Sequence, residues 1–333
     1  MRNILLSIAF TTFTLVSACT YNTDIPLEFP TPPPAPGATP LAKLDLKRDS
    51  ELEAQIAKIA SEAKGKVGVA AVVLETGEAA LLNADERFPM QSVYKLPISM
   101  AVMEQVRLEK LELDEKVGVT KEDFVRAGMR SPLRDENPNG GEFTIRELIR
   151  LSLVESDGTA SDVLMRVAGG TGEIQSYLTQ IGVRDMKVVN TEKEIGRDWQ
   201  TQYENWSTPV ASVELLRWLY FTRRSEPESK SVATEDGSEI RFGLILKDMY
   251  DSKPGLKRIK GGVPPEVHVA HKTGTGGTNY GVTGATNDIG VLYLKNQTSL
   301  AIAVFVSDSP TDEKTREAVI AKIAKACWDR WGK

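Results

Sequence analysis

Apolar positions recur along this chain with two different periods, and the changes of period divide it into parts. Residues 49–64 carry apolar side chains at helical spacing. Val67 to Leu74 and Ala79 to Leu82 read as two strands joined at Glu75-Thr76-Gly77-Glu78. Leu96, Ile98, Ala101, Val102 and Val106 then predict an amphipathic helix that starts near Ser92 and runs to about Leu111. Pro97, early in that helix, predicts one lost hydrogen bond to the Val93 carbonyl and a mild kink. The middle of the chain stays helical. Thr144 and Glu147 form a capping-box pattern that opens Ile145 to Val154. Ala160 to Val167 ends at Gly169-Gly170, and Gly172 to Ile181 is stopped by Gly182. Thr208-Pro209 caps a helix to about Phe221, and Ile240 to Tyr250 is one more. Strands return at Val267 to Thr273, Ile289 to Leu294 and Leu300 to Val306. Thr311 then opens a final helix, Glu313 to Trp331. Strands at both ends with helices between them predict an α+β fold, one sheet made from both termini, and a cleft at the junction.

The first residues follow another pattern. Arg2 precedes an apolar run from Ile4 to Val16, too short for an ordinary membrane span, which closes in Leu15-Val16-Ser17-Ala18-Cys19. A small-residue site ending in Cys resembles a bacterial lipobox. That resemblance implies a lipoprotein signal peptide over residues 1–18, cleavage before Cys19, and lipidation of Cys19; a plain secretory signal is the alternative. Thr20 follows, and the resemblance to sorted lipoproteins then implies a periplasmic protein anchored to the outer membrane. Residues 19–45 hold Pro26, Pro30, Pro32-Pro33-Pro34, Pro36 and Pro40, an extended, semi-rigid tether ahead of a folded domain at 46–333.

Composition narrows the chemistry. Over 333 residues, 41% hydrophobic and 26% charged content are globular values. The net charge of −5 is well mixed and no basic patch appears, which argues against nucleic acid as a partner. His268, His271, Cys19 and Cys327 are too few to build a zinc site, so a metallo-hydrolase is excluded and no metal or cofactor is expected. With Cys19 lipidated, Cys327 reads as an unpaired buried thiol on the last helix.

Four groups of residues carry chemistry. Ser92 and Lys95, three apart at a helix start, share a face. A desolvated lysine can take the proton of a serine nucleophile, and free N–H groups at the helix start suit an oxyanion. Ser156-Asp157-Gly158 follows the capped helix, and its hydroxyl could relay a proton to a leaving nitrogen. His271-Lys272-Thr273-Gly274-Thr275 closes a strand before Gly276-Gly277, offering a fixed charge, two hydroxyls and a second oxyanion N–H at Thr275. Glu192 lies in Asn190-Thr191-Glu192-Lys193-Glu194-Ile195-Gly196, a loop with no clear period, with Glu194 two residues away as a competitor.

S-x-x-K, S-D-x and K-T-G in this order resemble the penicillin-recognising serine enzymes, and with Glu192 the chain is similar to class A serine β-lactamases from about residue 46 to its end. Phe88-Pro89-Met90-Gln91-Ser92, Asp162 and Gln202-Tyr203-Glu204-Asn205-Trp206 resemble the PER- and VEB-like branch. The resemblance implies an antiparallel five-stranded sheet flanked by terminal helices, built from 46–90 and 260–333, with an all-helical half inserted at 91–259. It implies that Ser92 is acylated by a β-lactam, Lys95 assists as base, Ser156 protonates the lactam nitrogen and Glu192 activates the hydrolytic water. Lys272, Thr273, Gly274 and Thr275 would hold the substrate carboxylate, supported by Arg258. Whether Lys95 or Glu192 starts acylation stays open. A monomer whose partners are small β-lactams is expected, with membrane contact only through Cys19.

The chain departs from the family pattern at three positions. Gly158 replaces an Asn whose amide would bond the active-site lysine and the substrate, so weaker substrate positioning is expected. Gly196 falls where an Asn commonly holds the hydrolytic water. Lys193 stands where many members have Pro after a cis peptide, so a trans bond and an altered loop path are expected. The segment from Leu133 to Glu142, near Arg130, is expected at the cleft rim. Two other readings share these motifs: a D,D-peptidase or transpeptidase of peptidoglycan, and a non-hydrolytic β-lactam-binding lipoprotein.

Overall fold

Successive residues of one strand feed two separate hydrophobic cores. In the computed structural model, which describes residues 40–222 and 241–332, Val69, Ala71 and Val73 face one core while Ala70 and Val72 face the other. This is the two-residue period of a strand buried on both faces. The signal segment, Cys19 and most of the proline tether lie outside the described residues.

The chain enters through strand β1 (Lys47–Arg48) and helix α1 (Ser50–Ala60), capped by the Asp49 side chain. Strands β2 (Lys66–Val73) and β3 (Glu78–Leu82) follow, joined where Gly77 takes φ +78°. After β4 (Phe88–Pro89) comes a tight turn, Gln91–Tyr94, and then α2 (Lys95–Arg107). The expected helix therefore starts later and ends earlier. Ser92 sits in a 3₁₀ turn, and the left-handed φ of +58° at Glu109 closes the far end. Pro97 is the third residue of α2, in the first turn, where the N–H groups have no α-type partner to lose.

The inserted half is not wholly helical. Strand β5 (Lys116–Val119) pairs with β6 (Gly141–Thr144) on either side of α3 (Pro132–Glu136). The capping box of Thr144 and Glu147 opens α4 (Ile145–Arg150), which widens into a π-turn at Leu151–Glu155 instead of continuing regularly to Val154. Helices α5 (Gly158–Val167) and α6 (Thr171–Gln180) follow, then β7 (Met186–Lys187), α7 (Glu192–Ile195), β8 (Trp206–Ser207), α8 (Pro209–Thr222) and α9 (Arg241–Tyr250). Strands β4, β8 and β7 form a second small sheet. These strands are only two to four residues long, too short to show a strand period in the sequence.

The chain then returns to the main sheet through β9 (Val269–Thr275), β10 (Thr278–Asn279), β11 (Val282–Tyr293) and β12 (Ser299–Ser309). The sheet order is β1-β3-β2-β12-β11, with β9 and β10 end to end along the far edge of β11. Among the described residues seven strands thus stand where five were expected, and β1 joins β3 in parallel. The additions are two-residue edge pieces around five long antiparallel strands. The last helix, α10 (Glu313–Trp331), is capped by Asp312 rather than Thr311, and it packs Ile320, Ile323 and the buried thiol of Cys327 beside Ile56 of α1 in one core. Burial pushes the Cys327 thiol up to about 12. The other core lies under the sheet's opposite face, around α2 and α8, and the junction opens beside Ser92.

Candidate active site

The turn carrying Ser92 is held from below by the sheet. Asn287 of β11 donates from Nδ2 to the carbonyls of Pro89 (2.7 Å) and Met90 (3.1 Å). Gln91 is forced to φ +49°, and its amide donates to Gln202 Oε1 at 2.9 Å. Gly274 explains why the K-T-G strand can approach: a Cβ there would stand 2.2 Å from the Met90 carbonyl oxygen. Only a residue without a side chain allows β9 to reach the nucleophile turn.

Lys95 is fully buried at the foot of the cleft. Its Nζ donates to the Ser156 carbonyl at 2.7 Å and lies 3.4 Å from Glu192 Oε2. Lys272, also fully buried, donates from Nζ to Ser156 Oγ at 2.9 Å and to the Thr273 carbonyl at 3.1 Å. Burial, and next the neighbouring charge of Lys95, push the Lys272 ammonium well below the ordinary lysine range. Ser156 presents both groups because it takes the left-handed conformation, φ +58°, after the π-turn. Asp157 is fully buried and caps α5 by accepting from Ala160 N at 2.9 Å. It also takes the Leu133 N–H (2.7 Å) and the Ser131 hydroxyl (3.0 Å), which ties down the start of the Leu133–Glu142 segment.

Glu192 lies not on an irregular loop but at the first position of a one-turn helix, α7. Thr191 and Glu194 form its capping box, with Thr191 N donating to Glu194 Oε2 at 2.8 Å, so Glu194 is spent on structure. The Asp162 carboxylate accepts from Glu192 N (2.6 Å) and Lys193 N (3.1 Å). Burial chiefly, against those two N–H bonds and with the Glu192 charge, pushes Asp162 up to about 7. The Glu192–Lys193 peptide is trans, as expected. Tyr94 Oη donates to Glu192 Oε2 at 2.6 Å.

Gly158, expected to weaken substrate positioning, has a second consequence. A Cβ on it would lie 2.9 Å from Glu192 Cγ. At Gly196 a Cβ would meet Met129 Sδ at 3.0 Å and the Arg126 guanidinium at 3.1 Å, so those side chains fill the space beside it. Arg258 is nearly fully buried behind β9; it donates from Nη1 to the carbonyls of Gly274 (3.1 Å) and Asn287 (2.9 Å) and from Nη2 to Thr275 Oγ1 (2.8 Å). Ser92, Arg130, Ser156, Glu192, Thr273 and Thr275 line one cleft of about 710 Å³. The structure brings together every site residue read from the sequence within the described part; Cys19 lies outside it. Three functional contacts were missed: the Tyr94 phenol, the Asp162 carboxylate as the clamp of α7, and the Asn287 amide. Asp162 did stand out in the sequence through the branch resemblance, which bore on the loop path but not on this pair of bonds.

The arrangement suits acyl transfer, with Ser92 and the Glu192 carboxylate lining one cleft and two buried ammonium groups meeting there on Ser156. A family model described as the beta-lactamase enzyme family matches residues 51–331. The chain is 34% identical to beta-lactamase VEB-1 of Pseudomonas aeruginosa over 84% of this chain and 89% of that protein. It is also 34% identical to the extended-spectrum beta-lactamase PER-1 of the same organism, over 83% and 86%. Among solved structures, a beta-lactamase from Chitinophaga pinensis superposes with TM-score 0.78 at 36% identity, over 84% of this chain and 99% of that one. The TLA-3 extended-spectrum beta-lactamase gives 0.76 at 36%, over 84% and 98%.

Proposed function

The chain belongs to the class A β-lactamases, which hydrolyse the β-lactam ring through a serine acyl-enzyme, and we propose the following division of labour in its cleft. Ser92 Oγ gives up its proton to the base beside it and attacks the lactam carbonyl carbon. The C–N bond breaks, Ser156 passes a proton to the departing nitrogen, and the ring opens as an ester on Ser92. The N–H groups of Ser92 and Thr275 face the oxyanion. Lys272, with Thr273 and Thr275, holds the substrate carboxylate, and Arg258 fixes Thr275 from behind. Glu192 takes a proton from water, which attacks the ester and frees the enzyme.

One observation supports this reading above the others: Lys95 Nζ and Lys272 Nζ meet Ser156 at its carbonyl and its hydroxyl, 2.7 and 2.9 Å away, with the Glu192 carboxylate 3.4 Å from Lys95. The test is mass spectrometry during turnover of a chromogenic cephalosporin. The Glu192→Gln variant should carry a substrate-sized adduct on Ser92 and release it slowly. Absence of any adduct in both wild type and variant would overturn the assignment.

The physiological role follows as resistance to β-lactam antibiotics in the periplasm. The apolar run ending at Cys19 and the prolines after it support a processed lipoprotein whose catalytic domain, 46–333, stands off the outer membrane on a tether. Labelled palmitate should enter the wild-type chain and not the Cys19→Ser variant, which should be recovered in the soluble periplasmic fraction. Equal labelling of both would remove the anchor.

A further inference from the structure

Glu192 has two charged or polar neighbours at its carboxylate among the described residues: the Tyr94 phenol at 2.6 Å and the Lys95 ammonium at 3.4 Å. The phenol bonds Oε2, which is also the oxygen that Lys95 approaches at 3.4 Å, and a carboxylate has a second oxygen able to accept from water. The carboxylate needs such a hold. Glutamate has three side-chain torsions, and α7 is a single turn pinned through its backbone by Asp162. Nothing in that clamp fixes where the carboxylate points. Tyr94 can fix it, because the ring is fully buried in the core two residues after Ser92 and has few ways to move.

We propose that Tyr94 is a positioning residue for deacylation: its phenol holds Glu192 Oε2 so that Oε1 faces the water that hydrolyses the Ser92 ester. Tyr94 touches neither substrate nor water, and it acts through Glu192. Burial, and next the charges of Glu192 and Asp162, push the phenol well above its usual value, so it remains a donor across the working pH range. The proposal rests on Glu192 being the group that activates water.

The test measures acylation and deacylation separately by stopped flow and quenched-flow mass spectrometry, in four proteins: wild type, Tyr94→Phe, Glu192→Gln and the double variant. Loss of a hydrogen bond to a charged group should slow deacylation about tenfold in Tyr94→Phe, with acyl-enzyme building up and acylation changing far less. In the Glu192→Gln background, Tyr94→Phe should add no further slowing. Replacing Tyr94 with para-aminophenylalanine, which restores a donor at the ring tip, should recover most of the rate, and this variant also decides the matter if Phe proves poorly folded. Deacylation within twofold of wild type in Tyr94→Phe, or the same loss in both backgrounds, would overturn the proposal while leaving Glu192 in place. Normal deacylation by Glu192→Gln would remove the assignment of Glu192, and this proposal with it.

Discussion

Lys272 Nζ donates to Ser156 Oγ at 2.9 Å, and the two residues lie 116 positions apart in the chain. The pair couples the group that would anchor a substrate carboxylate to the group that would protonate the leaving nitrogen. Ser156 can serve both because its left-handed backbone turns the carbonyl toward Lys95 while the hydroxyl stays with Lys272. A strained conformation of this kind persists only where its surroundings hold it, here by the Lys95 bond and by Asp157 capping the next helix.

That pairing gives a pH dependence. Burial and the Lys95 charge lower the proton affinity of Lys272, so it loses its charge at a lower pH than an ordinary lysine. Binding of a carboxylate needs the charged form. KM for carboxylate-bearing β-lactams should therefore rise with pH on the alkaline side, before the ordinary lysine range is reached. The Lys272→Arg variant should show no such rise, since arginine stays protonated. Steady-state KM measured from pH 6 to 10 checks this; an identical alkaline limb in both proteins would refute it.

Gly158→Asn should not restore the family pattern. Its Cβ would lie 2.9 Å from Glu192 Cγ, so the Glu192 side chain must shift, and with it the carboxylate. We expect deacylation to fall by tenfold or more, about 1.4 kcal/mol, with acyl-enzyme visible in the steady state. Burst kinetics with a chromogenic cephalosporin measure it. Faster turnover than wild type would show instead that the missing amide is what limits this enzyme.

Arg258→Ala removes the donors to the carbonyls of Gly274 and Asn287 and to Thr275 Oγ1, and leaves Glu317 without its partner at 3.3 Å. Several buried acceptors lose their charged partner at once, so stability should fall by about 2–4 kcal/mol and KM should rise with the loosened strand end. Arg258→Lys keeps the charge but not the planar fork, and should recover only part of both. Urea denaturation and KM together read the result.

Asp162 makes the clamp of α7 sensitive to pH. Its folded-state value, about 7, lies above that of an unfolded aspartate. The sign follows: its contribution to stability is full below the ordinary aspartate range and is lost as pH rises through about 7. Asp162→Asn cannot titrate, and it also loses one of the two backbone acceptors. The melting temperature of wild type relative to Asp162→Asn should therefore be higher at pH 5 than at pH 8.5, by about 3 °C or more for a domain of this size. A difference that stays constant across that range counts against the argument.

What the sequence determined by itself follows from local physics. Continuous apolar runs sufficed for the long strands at both ends, which are buried on both faces, and helical spacing for α1, α2, α5, α6, α8 and α10, because each is long enough to leave a pattern. The order of Ser92-Lys95, Ser156, Glu192 and Lys272 was legible for a similar reason, since reactive groups stand in short motifs. The short strands β1, β4, β5, β6, β7, β8 and β10 left no such trace, and the one-turn α7 was read as irregular because four residues cannot show a helical period. The family resemblance already pointed to Glu192 over Glu194, and tertiary structure supplied the physical reason. Glu194 is taken up by Thr191, while Glu192 is met by Tyr94 and Lys95 from elements nearly a hundred residues earlier. The meaning of Gly158 is a further case: the family resemblance implied only that an amide was missing, and the approach of another segment determined what stands in its place.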